Sequence, residues 1–217
     1  VKISLAASLF LLFAGFVLVL ASEWTNALDG QGGLDRVHNA WFQSVTLRTA
    51  GFNSIPMESL RPATLLVMLV MMFIGGCPGG TAGGVKVTTV AILTFAIFDL
   101  MRGGRGVVVF GRRVSDRSLR KAAVIATLGL GGSIIATLAI LLTQRMPADL
   151  AVFEVFSALG TVGLTLGATS RLDTVGRLVI IACMFVGRVG TLTLLMSPSG
   201  AAMDGRLDRP EEDVDVG

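Results

Sequence analysis

Residues 44–53 read Ser44-Val45-Thr46-Leu47-Arg48-Thr49-Ala50-Gly51-Phe52-Asn53, and residues 157–165 read Ser157-Ala158-Leu159-Gly160-Thr161-Val162-Gly163-Leu164-Thr165. Setting Thr49 on Thr161 places Gly51 on Gly163, Phe52 on Leu164 and, upstream, Trp41 on Phe153. Each Thr-x-Gly-apolar segment follows a short apolar stretch opened by an aspartate. Asp35 is expected to cap a short helix running through Val45, and Asp149 one running through Leu159. A single Thr-x-Gly would be an ordinary turn between packed helices. Two at matched positions, each between a pair of longer apolar runs, describe a repeated unit of span, short helix, Thr-x-Gly segment and span.

The flanking runs have membrane dimensions. Ile3 to Ala21 is nineteen residues without a charge, and about 20 apolar residues cross a bilayer as a helix. With only Lys2 before it and no convincing cleavage site, it reads as a span rather than a secretory leader. The second run starts after Pro62 and reaches about Leu100, the third covers Ala122 to Thr143, and the fourth Leu178 to Met196. Pro62 to Met101 would measure about 60 Å as one helix, twice the ~30 Å hydrocarbon core. Gly75 to Gly84 carries six glycines and a proline, and is the place where that run is expected to break.

Composition agrees. The 217 residues are 53% hydrophobic and only 15% charged, against about 25% charged in soluble domains, with a mean hydropathy of +0.76. A soluble enzyme is thereby disfavoured. An intramembrane enzyme lacks its constellation as well: there is one histidine, no HExxH and no GxSxG. Gly84 is separated from Lys86 by Val85, so the GK[ST] ending of a nucleotide P-loop is missing too. The two cysteines, Cys77 and Cys183, lie in apolar stretches and suggest neither a metal nor a disulfide framework.

The net charge of +3 is uneven. Arg102, Arg105, Arg112, Arg113, Arg117, Arg120 and Lys121 crowd the connection between the second and third spans. Such loops stay cytoplasmic, which puts Trp24–Arg61 and Gln144–Asp173 outside and both termini inside. Wedged between spans, these cations read as a topology signal and not as a nucleic-acid patch. The expected layout is a membrane repeat over 1–101, a basic cytoplasmic linker over 102–121, a second membrane repeat over 122–200 and a cytoplasmic tail over 201–217.

The repeated segment has a physical use. Non-helical backbone at membrane depth is tolerated where it is buried in protein or lines a water-filled cavity. Glycine lets carbonyls turn toward an axis at little steric cost, and a ring of carbonyls can replace the hydration shell of a potassium ion. The short helices would aim their partly negative C-terminal ends at the same axis and favour a cation there.

These motifs resemble the Trk/Ktr/HKT superfamily of potassium transporters. Residues 44–53 are similar to the filter of that family's third repeat, and Gly75-Gly76-Cys77-Pro78-Gly79-Gly80-Thr81-Ala82-Gly83-Gly84-Val85-Lys86 to the glycine-rich break in its third inner helix. Residues 157–164 resemble the fourth filter, Gly187-Arg188-Val189-Gly190 the fourth inner helix, and Arg209-Pro210-Glu211-Glu212 the terminal tail. Cys77 and Gly80 stand where serines are more usual in the family. The resemblance implies an all-α membrane protein with two span–pore-helix–filter–span repeats, half of a pseudo-fourfold potassium-channel-like pore. Starting at Val1, the chain is expected to lack the first and second repeats.

The resemblance also implies roles. Thr49, Ala50, Gly51, Thr161, Val162 and Gly163 would offer backbone carbonyls to potassium, the transported ion, with sodium or a proton as a candidate coupling ion. Gly79, Gly80, Gly83, Gly84 and Lys86 would form a gate beneath the filter. Arg188, a charge near the middle of the fourth span, has function as its default reading and would act with that gate as an electrostatic barrier. Arg48 is expected to support the filter through a carboxylate or backbone carbonyls, with Glu154 one candidate partner. His38 reads as a polar surface residue, Trp24 as an interfacial anchor, and Met68, Met71 and Met72 as packing residues. A homodimer in the bacterial cytoplasmic membrane and a cytosolic nucleotide-binding regulatory subunit are implied as partners. The competing reading is a non-conducting half-subunit that requires a separate N-terminal half.

Overall fold

The computed structural model describes residues 1–79, 82–104 and 106–190. Gly80, Arg105, the end of the fourth apolar run and the tail motif 209–212 lie outside the described residues. The chain is mostly helical. Its helices are α1 (Lys2–Glu23), α2 (Gly33–Thr46), α3 (Pro62–Phe73), α4 (Val87–Met101), α5 (Asp116–Thr143), α6 (Ala148–Leu159) and α7 (Thr174–Val189). Single 3-10 turns at Met57–Ser59 and Thr169–Arg171 precede α3 and α7.

α1 and α5, of 22 and 28 residues, are long and apolar enough to cross a membrane. Their flanks are exposed and oily: Leu5, Leu9, Phe10 and Phe13 on α1, and Ile134, Ile135, Leu138 and Leu142 on α5. Exposed surface of this kind suits a hydrocarbon solvent. The long second apolar run is divided, with α3 and α4 separated by residues 74–86. At 1.5 Å per residue α3 is only about 18 Å long, so neither piece spans the bilayer core alone.

The structure corrects the sequence reading at several ends. Neither Asp35 nor Asp149 is an N-cap. Gly32 and Pro147 take those places without a side-chain bond, and both aspartates lie in the first turn, where a negative charge still complements the helix dipole. α5 begins at Asp116, earlier than expected, because the Ser115 hydroxyl accepts the Ser118 amide and caps it. Arg117, Arg120 and Lys121 are therefore helical. α7 likewise begins at Thr174, capped by the Asp173 carboxylate on the Gly176 amide.

The basic connection is not wholly irregular. β1 (Val108–Val109) and β2 (Arg112–Arg113) pair antiparallel, with Val109 opposite Arg112. Phe110 and Gly111 both have positive φ, 50° and 74°, as a two-residue type I′ hairpin turn requires. This small hairpin departs from the all-α expectation.

Among the described residues, two cores hold the fold. In the larger, Val19 of α1, Met68 and Met72 of α3 and Phe153 of α6 pack with Leu47, Val162 and Leu164 from the segments after α2 and α6. Met71 is buried there as well, so all three methionines pack. The smaller joins Ile140 of α5, Ala151 and Val155 of α6, and Ile180 and Cys183 of α7. A buried carboxylate ties the start of α3 to the end of α1: Glu23 accepts the Arg61 amide at 3.0 Å, Asn26 Nδ2 at 2.6 Å, and the Thr64 hydroxyl.

Candidate functional site

The segments after α2 and α6 turn in the same way. Thr49 and Thr161 both have left-handed backbones, with φ of 70° and 53°, and Gly51 and Gly163 follow with φ of 79° and 93°. Ala50 and Val162, between them, are not left-handed. A threonine in the left-handed region is uncommon and costs of order 1–3 kcal/mol, so matched occurrences at aligned positions mark an imposed geometry. Each turn is closed by a hydroxyl from the end of its helix. Thr46 Oγ1 accepts the Phe52 amide at 2.8 Å, and Ser157 Oγ accepts the Gly163 amide at 3.1 Å.

The two turns meet. A Cβ on Gly51 would fall 2.2 Å from the Val162 carbonyl oxygen and 3.5 Å from Gly163 Cα, while one on Gly163 would sit 3.7 Å from Gly51 Cα. Of the six residues expected to face an ion, Val162 is buried, Thr49, Gly51 and Thr161 are half-buried, and Ala50 and Gly163 are exposed.

The break between α3 and α4 tucks under the second turn. Its strands are tied by Gly75 N to Val85 O at 2.9 Å and Val85 N to Phe73 O at 3.0 Å. It docks on α6 by donating the Gly84 amide to Leu159 O at 3.2 Å and the Gly83 amide to Thr161 Oγ1 at 2.8 Å. Glycine is required for this approach, since a Cβ on Gly83 would lie 2.5 Å from Thr161 Cγ2 and one on Gly75 would lie 1.8 Å from Gly83 O. Gly79, at φ 86°, has a left-handed backbone that favours glycine, and a Cβ there would meet nothing within 4 Å among the described residues. Lys86, at the start of α4, donates to the Ala82 carbonyl and lies within Coulombic reach of Arg188. Arg188 is in the last turn of α7, one residue from Gly187, whose Cβ would fall 2.1 Å from Leu159 O.

Arg48 reaches backbone carbonyls. Its guanidinium donates to Ser8 O at 3.2 Å and to Gly75 O at 3.4 Å, so it joins α1, the first turn and the base of the break. Glu154, the carboxylate considered for it, is engaged elsewhere, accepting Thr165 Oγ1 at 2.7 Å and the Thr169 hydroxyl. These two threonines, Ser157 and the side chain of Thr161 escaped the sequence reading. The hydroxyl six residues before the amide it closes, in both turns, is the signal that was present. His38 is exposed, and Trp24 carries the Arg36 guanidinium 4.9 Å from its ring centroid.

The family model described as TrkH, cation transport protein, matches residues 5–202. The chain belongs to the TrkH cation transport family. Potassium/sodium uptake protein NtpJ of Enterococcus hirae is 35% identical over 223 residues, covering 100% of this chain and 49% of that protein. Ktr system potassium uptake protein B of Bacillus subtilis is 36% identical over 198 residues, covering 90% of this chain and 44% of that one. The crystal structure of the potassium transporter TrkH from Vibrio parahaemolyticus shares the fold, with a TM-score of 0.76 at 23% identity over 91% of this chain and 44% of that one. The TrkH-family chain thus spans about half the length of the relatives it matches. Its relatives are transporters and not enzymes, and TrkH-family membership makes this a membrane protein.

Proposed function

We propose that this chain is the third and fourth repeat of a potassium-uptake subunit, and that the Thr49–Gly51 and Thr161–Gly163 turns are two quarters of its selectivity filter. The observation that carries the reading is the matched pair of left-handed Thr-x-Gly turns brought face to face at Gly51 and Gly163. In a strand, successive carbonyls point to opposite sides. Alternating the sign of φ turns them toward one side, where they can stand in for the waters of a potassium ion. α2 and α6 end at these turns, so the negative ends of their dipoles favour a cation there.

In this reading residues 82–86 form part of a gate below the filter. Lys86 and Arg188, both cationic and near one another, raise an electrostatic barrier to potassium on that side. Potassium moves down its electrochemical gradient once the gate yields, with sodium or a proton as the candidate coupling ion. The proposed assembly is a homodimer in the bacterial cytoplasmic membrane with both termini inside. The basic connection, including the Val108–Arg113 hairpin, would then face a cytosolic nucleotide-binding regulator.

Growth of a potassium-uptake-deficient bacterium carrying the complete subunit tests this function. Rescue at low potassium that is lost in Gly163→Asp, with protein still in the membrane, supports it; rescue by both overturns it. The coverage of about half of each relative favours a second reading, in which the 217-residue chain conducts only with a separate N-terminal half. Potassium flux through the chain alone in liposomes would contradict that second reading.

A further inference from the structure

Between residues 3–11 of α1 and residues 87–95 of α4 lies an apolar groove of about 310 Å³. Small side chains line both walls, Ala6 and Ala7 on α1 and Ala91 on α4. A third element reaches it, because the ring of Phe110, from the tip of the β1–β2 hairpin, completes the lining. Phe110 is an unusual residue for its place. Its φ of 50° puts it where a hairpin turn favours Asn, Asp or Gly, and a bulky side chain is uncommon there. Burial within the protein does not account for it, since Phe110 is 60% exposed. The hairpin is held by other residues: Val107 and Val109 are buried, and the Val114 amide donates to Val107 O at 2.8 Å.

Charge separates this groove from its neighbour. The groove between α4 and α5 has Asp99 and Asp116 in its lining, whereas the one between α1 and α4 has no carboxylate among the described residues. Cations adjoin it instead. Lys2 precedes Ile3 of the lining, and Arg112 and Arg113 follow the Phe110–Gly111 turn. All three are exposed, and none is within ion-pair distance of a carboxylate among the described residues. We propose that the groove and the hairpin tip bind an anionic phospholipid of the cytoplasmic leaflet, with an acyl chain between α1 and α4 and the headgroup phosphate at Lys2, Arg112 and Arg113. This rests on the placement of the basic connection inside. Basic residues beside a span attract the anionic lipids of that leaflet, and the arginine fork matches phosphate oxygens. The Phe110 ring, at the boundary of headgroup and acyl chain, suits the aromatic residues that bury their faces there. Asn or Gly would relax the turn but leave the groove uncovered at that point.

The test uses the complete subunit in phosphatidylcholine vesicles doped with a phosphatidylglycerol that carries a photoactivatable diazirine in its acyl chain. Adducts are mapped by mass spectrometry after digestion. They are expected on the peptides holding residues 3–11 and 87–95, in excess over the exposed face of α5 at residues 134–142. Unlabelled phosphatidylglycerol is expected to displace them, and added phosphatidylcholine is not. Arg112→Gln together with Arg113→Gln is expected to cut the groove adducts about fivefold or more, the attraction of a single cation to an anionic surface, and to leave those on α5 unchanged. Ala91→Phe fills the groove and is expected to abolish adducts on both peptides. If that variant is poorly folded, Phe110→Gly, on the exposed hairpin, is expected to lower them instead. Adducts spread evenly over the spans and indifferent to the arginines would be ordinary bilayer contact and overturn the site. Groove peptides without adducts, covered by the other half of the subunit or by a second copy, overturn it as well. An impermeant maleimide that reaches Val108→Cys from outside intact cells would contradict the inside placement and the choice of leaflet, while the adducts still judge the groove.

Discussion

Gly51 lies against the backbone of the opposite turn, so that a Cβ added to it would come within 2.2 Å of the Val162 carbonyl oxygen. Gly163 faces it with more room, its added Cβ meeting, among the described residues, only Gly51 Cα at 3.7 Å. The two glycines are equivalent by sequence and unequal in packing. Both are left-handed, so alanine is strained at either position by of order 1–3 kcal/mol, but only at Gly51 must backbone also move. Gly51→Ala is therefore expected to lower the thermal stability of the detergent-solubilised protein more than Gly163→Ala does. Equal losses would mean that the turns do not pack as described.

The Glu23 carboxylate is buried with the Arg61 and Ala27 amides, Asn26 Nδ2 and the Thr64 hydroxyl donating to it. Gln in its place has one acceptor oxygen for these donors and adds donors of its own. Leaving buried groups unsatisfied costs about 1–3 kcal/mol, so Glu23→Gln is expected to unfold at a distinctly lower temperature in detergent. Asn26→Ala, which removes one of the partners, should cost less.

Two glycines on different helices make a second contrast. A Cβ at Gly187 would fall 2.1 Å from Leu159 O, whereas one at Gly131 of α5 meets nothing within 4 Å among the described residues. Gly187→Ala is expected to part α6 from α7 and to lower stability and ion flux together. Gly131→Ala is expected to leave both unchanged or to raise stability by up to about 1 kcal/mol through lost unfolded-state entropy. Thermal unfolding of the two variants side by side checks this.

Asp173 caps α7 outside the spans. Its Oδ1 accepts the Gly176 amide at 2.8 Å and Gln144 Nε2 at 2.6 Å, and the Gly176 bond first, then the Gln144 bond, hold its carboxyl below the usual aspartate range. A depressed folded-state pKa gives stability that is fully present above the unfolded value, ~3.9, and lost as pH falls through the folded one. Asp173→Asn should flatten the acid limb of the stability profile below about pH 4 and leave its shape near neutrality unchanged. A variant whose profile parallels the parent through that window would count against the role.

The parts legible in the sequence were those with local causes. Thr49, Gly51, Thr161 and Gly163 stood out because a left-handed turn demands glycine and the spacing repeated. The break in the second apolar run followed from six glycines and from length. What was missed depended on alternatives that the chain resolves only by folding. Asp35 and Asp149 were plausible caps, but the helices begin at Gly33 and Ala148, which places each aspartate inside the first turn. The hairpin escaped notice because Phe110 occupies a left-handed position where Asn, Asp or Gly is the usual signal. The Gly83–Thr161 bond joins residues 78 apart in sequence, and no pattern along the chain announces such a pair. Arg48 found carbonyls of α1 and the break, not Glu154, because the threonines after the second turn had already taken that carboxylate.

Selection of potassium by the two facing Thr-x-Gly turns is the heart of the proposed function. Its most direct test is the potassium-over-sodium flux ratio of the complete subunit in liposomes, measured for the parent and for Gly163→Asp. A clear preference for potassium in the parent and none in the variant is the predicted result. An unchanged preference in a folded, membrane-inserted Gly163→Asp protein would contradict it.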